Sequence, residues 1–319
     1  MPDILADFLV ETDLGYYCKY GDFYIDPKHP VKTALISHAH GDHAVPGHQY
    51  IYATAGTIAF MKLRFSKQKH SSYQEVEYTD EFDFNGVLVR YYAAGHILGS
   101  AQILMFYNGV RYLYTGDYKL QEDATCEPIE FVKTDVLITE TTFANPDVKH
   151  PDPIAEIKKL SETKHNIMLG CYALGKAQRI INLLNTHCPE KKIYTHHNIT
   201  PINKIYESLG FVKLDYEMYH RKVMNDGSDK VYLVPPMTFN NYFKATNVLK
   251  AFASGWKRLQ RHNDIELYLS DHIDWDDLLT YISKTTPSEI WTVHGEGHHL
   301  KEHFDSKITV RNINKKSKS

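Results

Sequence analysis

The run Ile36-Ser37-His38-Ala39-His40-Gly41-Asp42-His43 constrains this chain more than any other segment. Four side chains able to ligate a metal fall within six residues, in the order His-x-His-x-Asp-His. An apolar stretch, Val31–Ile36, leads straight into it, so the run reads as a loop leaving a buried strand rather than a His-rich surface loop. In extended backbone alternate side chains share a side, so His38 and His40 can grip one ion together. Asp42 and His43 follow where the chain can turn toward a second ion. Neutral nitrogens mixed with anionic oxygens suit borderline-soft divalent cations, and zinc first among them.

Two ions need more ligands, and the chain offers them at strand ends. Gly95-His96-Ile97-Leu98-Gly99-Ser100 sets a histidine between glycines just after an apolar run. Thr115-Gly116-Asp117 does the same with a carboxylate able to bridge two ions. Thr292-Val293-His294-Gly295-Glu296 supplies a late histidine. A single histidine is ordinarily a core or surface residue, but three strand-end ligands beside the first loop point to one metal centre.

These residues together resemble the metallo-β-lactamase superfamily, and more narrowly its β-CASP nuclease branch. The narrower resemblance rests on Glu140 in Ile138-Thr139-Glu140-Thr141-Thr142, on Ser270-Asp271-His272, and on Val293-His294-Gly295-Glu296. It implies an α/β fold, an αββα sandwich with a dinuclear site on its rim and an inserted, shortened cap. It also implies two zinc ions, with manganese as the alternative. His38, His40 and His96 would hold one, Asp42, His43 and His294 the other, and Asp117 would bridge. Asp26 would orient the histidines from behind. The catalytic set would be Asp42, His272 as general acid and Glu140 as its partner, favouring the charged imidazole. Lys119, Lys176 and Ser100 would meet substrate phosphates.

Longer matches are similar to the bacterial DNA-ligase-associated exonucleases: Gly21–Pro27, Gly95–Gln102, Gly116–Lys119, Tyr172–Gln178 and Ala253–Trp256. They imply a 3′ exonuclease on single-stranded DNA, gripped between sandwich and cap, with an ATP-dependent ligase and a helicase as partners. An RNA-processing nuclease is the alternative. A thioesterase or lactonase on the same sandwich would need neither the insertion nor the late Ser-Asp-His and His-Gly-Glu segments. A scaffold protein would be expected to have lost ligands, and all seven are present.

Composition is consistent with this reading without requiring it. At 319 residues the chain can bury one large core or two moderate ones. The formal net charge of −3 is unusual for a handler of polyanions, but two divalent ions would offset it at the site itself. Basic segments lie at Lys62–Lys69 and Lys315-Lys316-Ser317-Lys318. No apolar run is long enough to span a membrane, and Met1-Pro2-Asp3-Ile4 does not open a signal peptide. Cys18, Cys126, Cys171 and Cys188 form no Cys-x-x-Cys pair and read as reduced thiols in a cytoplasmic protein.

Short strands fill residues 1–150, with a hairpin turn at Asn108-Gly109. A helix is expected over Thr54–Leu63. Strand–helix units follow through the expected cap, 151–255, with helices near Lys176–Leu184 and Pro201–Leu209. The segment 256–319 is expected to return as a βαβ-like unit, Ile265–Leu269, Trp275–Ile282 and Ile290–Val293, completing the first domain. Gly170-Cys171-Tyr172-Ala173-Leu174-Gly175-Lys176 fits a nucleotide phosphate loop. Ala177 stands where that motif needs a hydroxyl, so a plain strand–loop–helix turn is expected, with Lys176 near a backbone phosphate.

Overall fold

Side-chain alternation sets up the first unit. In β10 (Val110–Tyr114) Tyr112 and Tyr114 face one core and Leu113 the other; β11 (Val136–Glu140) divides Val136 and Ile138 from Leu137 in the same way. A sheet apolar on both faces must be covered on both. The computed structural model describes residues 3–67, 71–78, 80–220, 223, 227–242, 246–305 and 307–313. The basic tail at 315–318 and the end of the Lys62–Lys69 segment lie outside them.

One sheet of this unit runs in sequence order: β1 (Val10–Thr12), β2 (Gly15–Cys18), β3 (Phe23–Ile25), β4 (Thr33–Leu35), β5 (Tyr50–Ala53) and β6 (Ser72–Glu75). The other places β7 (Glu81–Phe84), β8 (Val87–Ala93), β9 (Ala101–Tyr107), β10 and β11 beside β18 (Glu289–Val293) and β19 (Thr309–Asn312). Phe23, Ile25 and Leu35 of the first sheet share a core with Val89, Ile103, Tyr112, Ile138 and Trp291 of the second. Helix α1 (Ala55–Arg64) covers the outer face of the first sheet through Ile58 and Met61. Helix α6 (Trp275–Thr285) packs Trp275, Leu278, Tyr281 and Ile282 on the second, joined by Leu300 of α7 (His298–Phe304). This is the expected αββα sandwich, and the hairpin at Asn108-Gly109 joins β9 to β10.

Strand direction then decides where the loops emerge. β10, β11 and β18 run parallel. β9 is antiparallel to both β8 and β10, so β8 runs their way too. The loops after β8, β10, β11 and β18 therefore leave from one edge. They carry His96, Asp117 and His294, and Glu140 ends β11 at the same edge.

The second unit comprises 123–125 and 150–271. Its sheet is wholly parallel, in the order β14 (Glu217–Met218), β13 (Lys192–Thr195), β15 (Lys230–Val234), β12 (Ile167–Gly170), β16 (Leu249–Ala253), β17 (Ile265–Leu267). Its helices are α2 (Pro153–Lys158), α3 (Lys176–His187), α4 (Thr200–Ser208) and α5 (Pro236–Asn241). The expected return from residue 256 needs correction. Ile265 pairs with Ala251 inside this sheet, so Ile265–Leu267 is the sixth strand of the insertion and not the start of a βαβ return. The first unit resumes at His272.

His48 makes part of the first unit's stability depend on pH. It is buried, and the Val31 N–H donates to its Nδ1 at 3.2 Å, which requires the neutral ring. Burial pushes its pKa down from 6.5 to about 4. The unfolded chain therefore takes up this proton first as pH falls. The stabilisation from neutral His48 is complete above about 6.5, declines below it and is gone near 4. Relative to His48→Gln, the parent protein should lose on the order of 2 kcal/mol across that window in denaturant titrations. Parallel pH profiles for the two proteins would refute this.

Candidate metal centre

The loop after β4 turns at Gly41-Asp42, where the His43 and Ala44 N–H groups both donate to the His40 carbonyl, at 3.2 and 2.8 Å. That turn sends His38 and His43 inward, where both are buried. Two glycines let the other loops approach. Gly95 (φ 71°) has its missing Cβ position 2.8 Å from the Lys119 carbonyl oxygen. At Gly116 (φ 57°) a Cβ would stand 2.9 Å from that of Ser37. A side chain at either would push the ligand loops apart. Thr54 and Thr57 at the start of α1 donate to the Gly99 carbonyl, at 2.5 and 3.0 Å, and tether the His96 loop.

The structure gathers the expected ligands into groups that share one carboxylate. His38, His40, His96 and Asp117 present ligand atoms within 4.8 Å of one another. His43, Asp117 and His294 form a second such group, and Asp117, Glu140 and His272 a third. His40 Nδ1 lies 3.1 Å from His38 Nε2 and 3.0 Å from His96 Nε2. Asp117 Oδ2 is 3.6 and 3.8 Å from those two Nε2 atoms and 3.5 Å from His43 Nε2. Ligands at about 2.0–2.1 Å around a tetrahedral ion stand roughly 3.3 Å apart, so this spacing fits zinc.

Behind these histidines stands Asp26. Its Oδ1 accepts from the Ser37 N–H at 2.7 Å. Its Oδ2 accepts from the Ser37 hydroxyl at 2.6 Å and the Tyr114 hydroxyl at 3.1 Å, and lies 2.8 Å from His43 Nδ1. With its proton given to Asp26, Ser37 Oγ is left to accept from His38 Nδ1 at 3.0 Å. His38 therefore turns a bare Nε2 toward Asp117, and His43 presents its Nε2 there once the ring's second proton is displaced. Asp26 (φ 42°) and His294 (φ 51°) hold left-handed backbone without being glycine, a strain that collects at functional sites.

The electrostatics without an ion follow from this packing. Burial, reinforced by neighbouring imidazoles, holds His38 and His96 well below the usual histidine range, so both are neutral donors. Burial also disfavours charge on His43, but the Asp117 and Asp26 carboxylates outweigh it and hold the ring well above that range. For Asp117 burial opposes ionisation, and His43 and then His272 overcome it, keeping the acid well below its usual range. The site's negative charge is thus balanced by a proton that a divalent cation would displace.

Other expected residues take different places. Asp42 is outside all three groups: its side chain is 75% exposed at the turn, with Oδ2 3.8 Å from His43 Nε2. His272 Nδ1 lies 2.9 Å from Glu140 Oε2 and 3.0 Å from Oε1, and 3.9 Å from Asp117 Oδ2. Glu140 is buried and also accepts from the Tyr118 N–H at 3.2 Å and the Thr142 hydroxyl at 2.6 Å.

The three residues expected to meet phosphates are buried and engaged within the protein. Lys119 Nζ donates to the Gly95 and His96 carbonyls, each at 2.6 Å. Ser100 Oγ accepts from the His96 and Ile97 N–H groups, at 3.0 and 3.2 Å. Both brace the loop that carries His96. Lys176 Nζ donates to the Leu269 carbonyl at 2.6 Å and pairs with Asp271 at 3.1 Å, so the Gly170–Lys176 turn joins β12 to α3 and spends its lysine internally. Tyr114 and Lys119 in its bracing role were not readable beforehand, since each acts on a partner far away in the chain; Thr142 stands only two residues from Glu140. Ser37 had a signal in its place beside His38.

No family model matches the sequence. It is 27% identical over 304 residues to a probable DNA ligase from Opitutus terrae, a match covering 90% of this chain and 29% of that protein. It is 29% identical over 238 residues to an RNase J-like protein from Methanocaldococcus jannaschii, covering 64% of this chain and 55% of the relative. Over 123 residues it is 32% identical to endoribonuclease YSH1 from Eremothecium gossypii, covering 36% of this chain and 16% of the other. The chain thus spans from under a fifth to about half the length of these relatives. A crystal structure of a protein of unknown function from Enterococcus faecalis superposes with a TM-score of 0.57 at 16% identity, covering 96% of this chain and 84% of that one, and it shares the fold.

Proposed function

We propose that this chain, whose relatives point to the β-CASP nuclease branch of the metallo-β-lactamase superfamily with a bacterial ligase-associated link, is a two-metal phosphodiesterase that trims single-stranded DNA from a 3′ end. The observation that carries this is Asp117, one buried carboxylate common to two histidine groups. His38, His40, His96 and Asp117 would hold one ion. His43, His294 and Asp117 would hold the other, with Asp42 the next carboxylate in line. The donor set suits zinc, with manganese as the alternative.

A phosphodiester resists attack because its charge repels nucleophiles and its alkoxide leaves poorly. Two divalent ions supply Lewis acidity that activates water and draws charge from the phosphate. The leaving oxygen still needs a proton. His272, whose side chain is 28% exposed beside the ligands, is the group we assign to deliver it. Glu140 holds Nδ1 and so fixes the ring's orientation and tautomer.

DNA as substrate is supported by the relative that matches most of this chain, which is named a DNA ligase. An ATP-dependent ligase and a helicase are the partners this reading implies. RNA is the second reading, supported by the RNase J-like and endoribonuclease relatives. Among the described residues no helix is long and apolar enough to cross a membrane. Four buried cysteines that form no disulfide fit the reducing cytoplasm proposed as its location.

Matched DNA and RNA oligonucleotides, labelled at either end and offered with zinc or manganese, test the proposal. Linear single-stranded DNA should shorten from its 3′ end, and a closed circle of the same sequence should survive. Preferential cutting of RNA would transfer the protein to the RNA reading, and a cut circle would make it an endonuclease. Hydrolysis of a thioester or lactone with both polymers intact would overturn the nuclease reading altogether.

A further inference from the structure

Because all six strands of the second unit's sheet run the same way, every loop that follows a strand leaves from one edge. Ligands of open parallel sheets are held beyond that edge. In this unit it carries a row of large side chains turned to solvent. His197 follows β13 and Met237 follows β15, the latter 80% exposed. Tyr172 follows β12 at 57% exposure, and Trp256 follows β16 at 41%. These four strands are consecutive neighbours in the sheet, spaced about 4.8 Å apart. Elsewhere in the unit Phe239 and Phe252 fill its core.

Charge points to the kind of ligand. From Ala253 to Asn263 the sequence holds no acid, while Lys257, Arg258 and Arg261 are exposed immediately after Trp256. The Arg258 guanidinium lies 5.2 Å from the centre of the Trp256 ring. In a chain of net charge −3, cations interleaved with an exposed aromatic ring mark a place for a polyanion with flat apolar parts.

Resting on the nuclease reading above, we propose that Tyr172 and Trp256, flanked by His197 and Met237, form a base-stacking platform for single-stranded nucleic acid, with Lys257, Arg258 and Arg261 meeting its phosphates. Each base has a π-face, so stacking of this kind tolerates any sequence. A duplex hides those faces within its own stack, so the platform selects single strands. The sheet's next strand, β17, is the one whose chain runs on through Ser270-Asp271 into His272.

Steady-state cleavage by the metal-loaded full chain tests this, with a thymidine oligonucleotide and one of equal length carrying abasic sites upstream of the cleaved end. Tyr172→Ala and Trp256→Ala should each raise KM for the intact strand roughly 5- to 150-fold, the range for one lost stack, with kcat changed little. Tyr172→Phe and Trp256→Phe should restore KM to within about threefold, since the ring face remains. The abasic strand should have a high KM with every variant. Cleavage of the intact strand with KM unchanged in both alanine variants would overturn the platform while leaving the nuclease reading intact. Failure of the unmodified protein to cut either strand would overturn the reading beneath it.

Discussion

Asp117→Ala should strip the protein of metal and of activity together. The purified parent should carry close to two ions per chain, one for each histidine group. Asp117 Oδ2 is the oxygen those groups share, within 3.5–3.8 Å of three imidazole nitrogens, and it is buried. Removing it takes one ligand from each ion and leaves the facing imidazoles without an anion to offset a divalent charge. Occupancy should fall below one ion per chain. Turnover should fall by roughly a thousandfold or more, beyond the ten- to hundredfold that an outer partner costs. Ser37→Ala supplies that milder comparison, because it breaks only the link from Asp26 to His38. Metal analysis beside circular dichroism of the folded variants separates lost ligation from lost structure. A parent protein fully active with one tightly bound ion would end the two-metal account.

The histidine and aspartate groups the structure gathers were legible because a metal-binding pattern restricts residue type and spacing at once. His38, His40 and His43 had to lie in one turn after one strand, and that turn is local. The sheets of the first unit were legible for a related reason: alternation in Val87–Ala93 reports one buried face, and the unbroken apolar run Val136–Ile138 reports two. Sheet membership is not local, and there the reading failed. Nothing between Gly255 and Leu269 says that Ile265–Leu267 pairs with Leu249–Ala253 rather than opening the return toward His294. A three-residue strand carries too little pattern to choose its partner.

The lysines and Ser100 show the same limit at the level of side chains. A cation or hydroxyl next to a ligand loop can face substrate or brace the loop, and the sequence is identical in both cases. Burial decides it. Lys119, read as a phosphate contact, carries its ammonium into the protein and donates to the Gly95 and His96 carbonyls, the backbone of the loop that holds His96. Asp42 shows a different limit. Its place in the His-x-His-x-Asp-His run fits ligation, and beside the turn that buries His43 its carboxylate is exposed with Oδ2 3.8 Å from His43 Nε2.

His272→Ala should keep both metals and lose most of the rate. The residue sits outside the two histidine groups, just before the Asp274 cap of α6, whose carboxylate accepts from the Asp277 N–H at 3.0 Å. Its ring is aligned by Glu140, itself fixed from three sides by Tyr118, Thr142 and the imidazole. A general acid so placed contributes about a hundredfold to ten-thousandfold to turnover. Its loss should be felt only while the leaving oxygen needs a proton. With a nitrophenyl phosphodiester, whose leaving group departs as a stable anion, the variant should approach the parent's rate. Glu140→Gln, which keeps a carbonyl oxygen and removes the charge, should fall between the two on the DNA substrate. The third carboxylate–histidine group, Asp117, Glu140 and His272, makes the opposite outcome informative. If His272→Ala loses an ion, or slows both substrates equally, His272 is a ligand and the leaving-group proton comes from elsewhere.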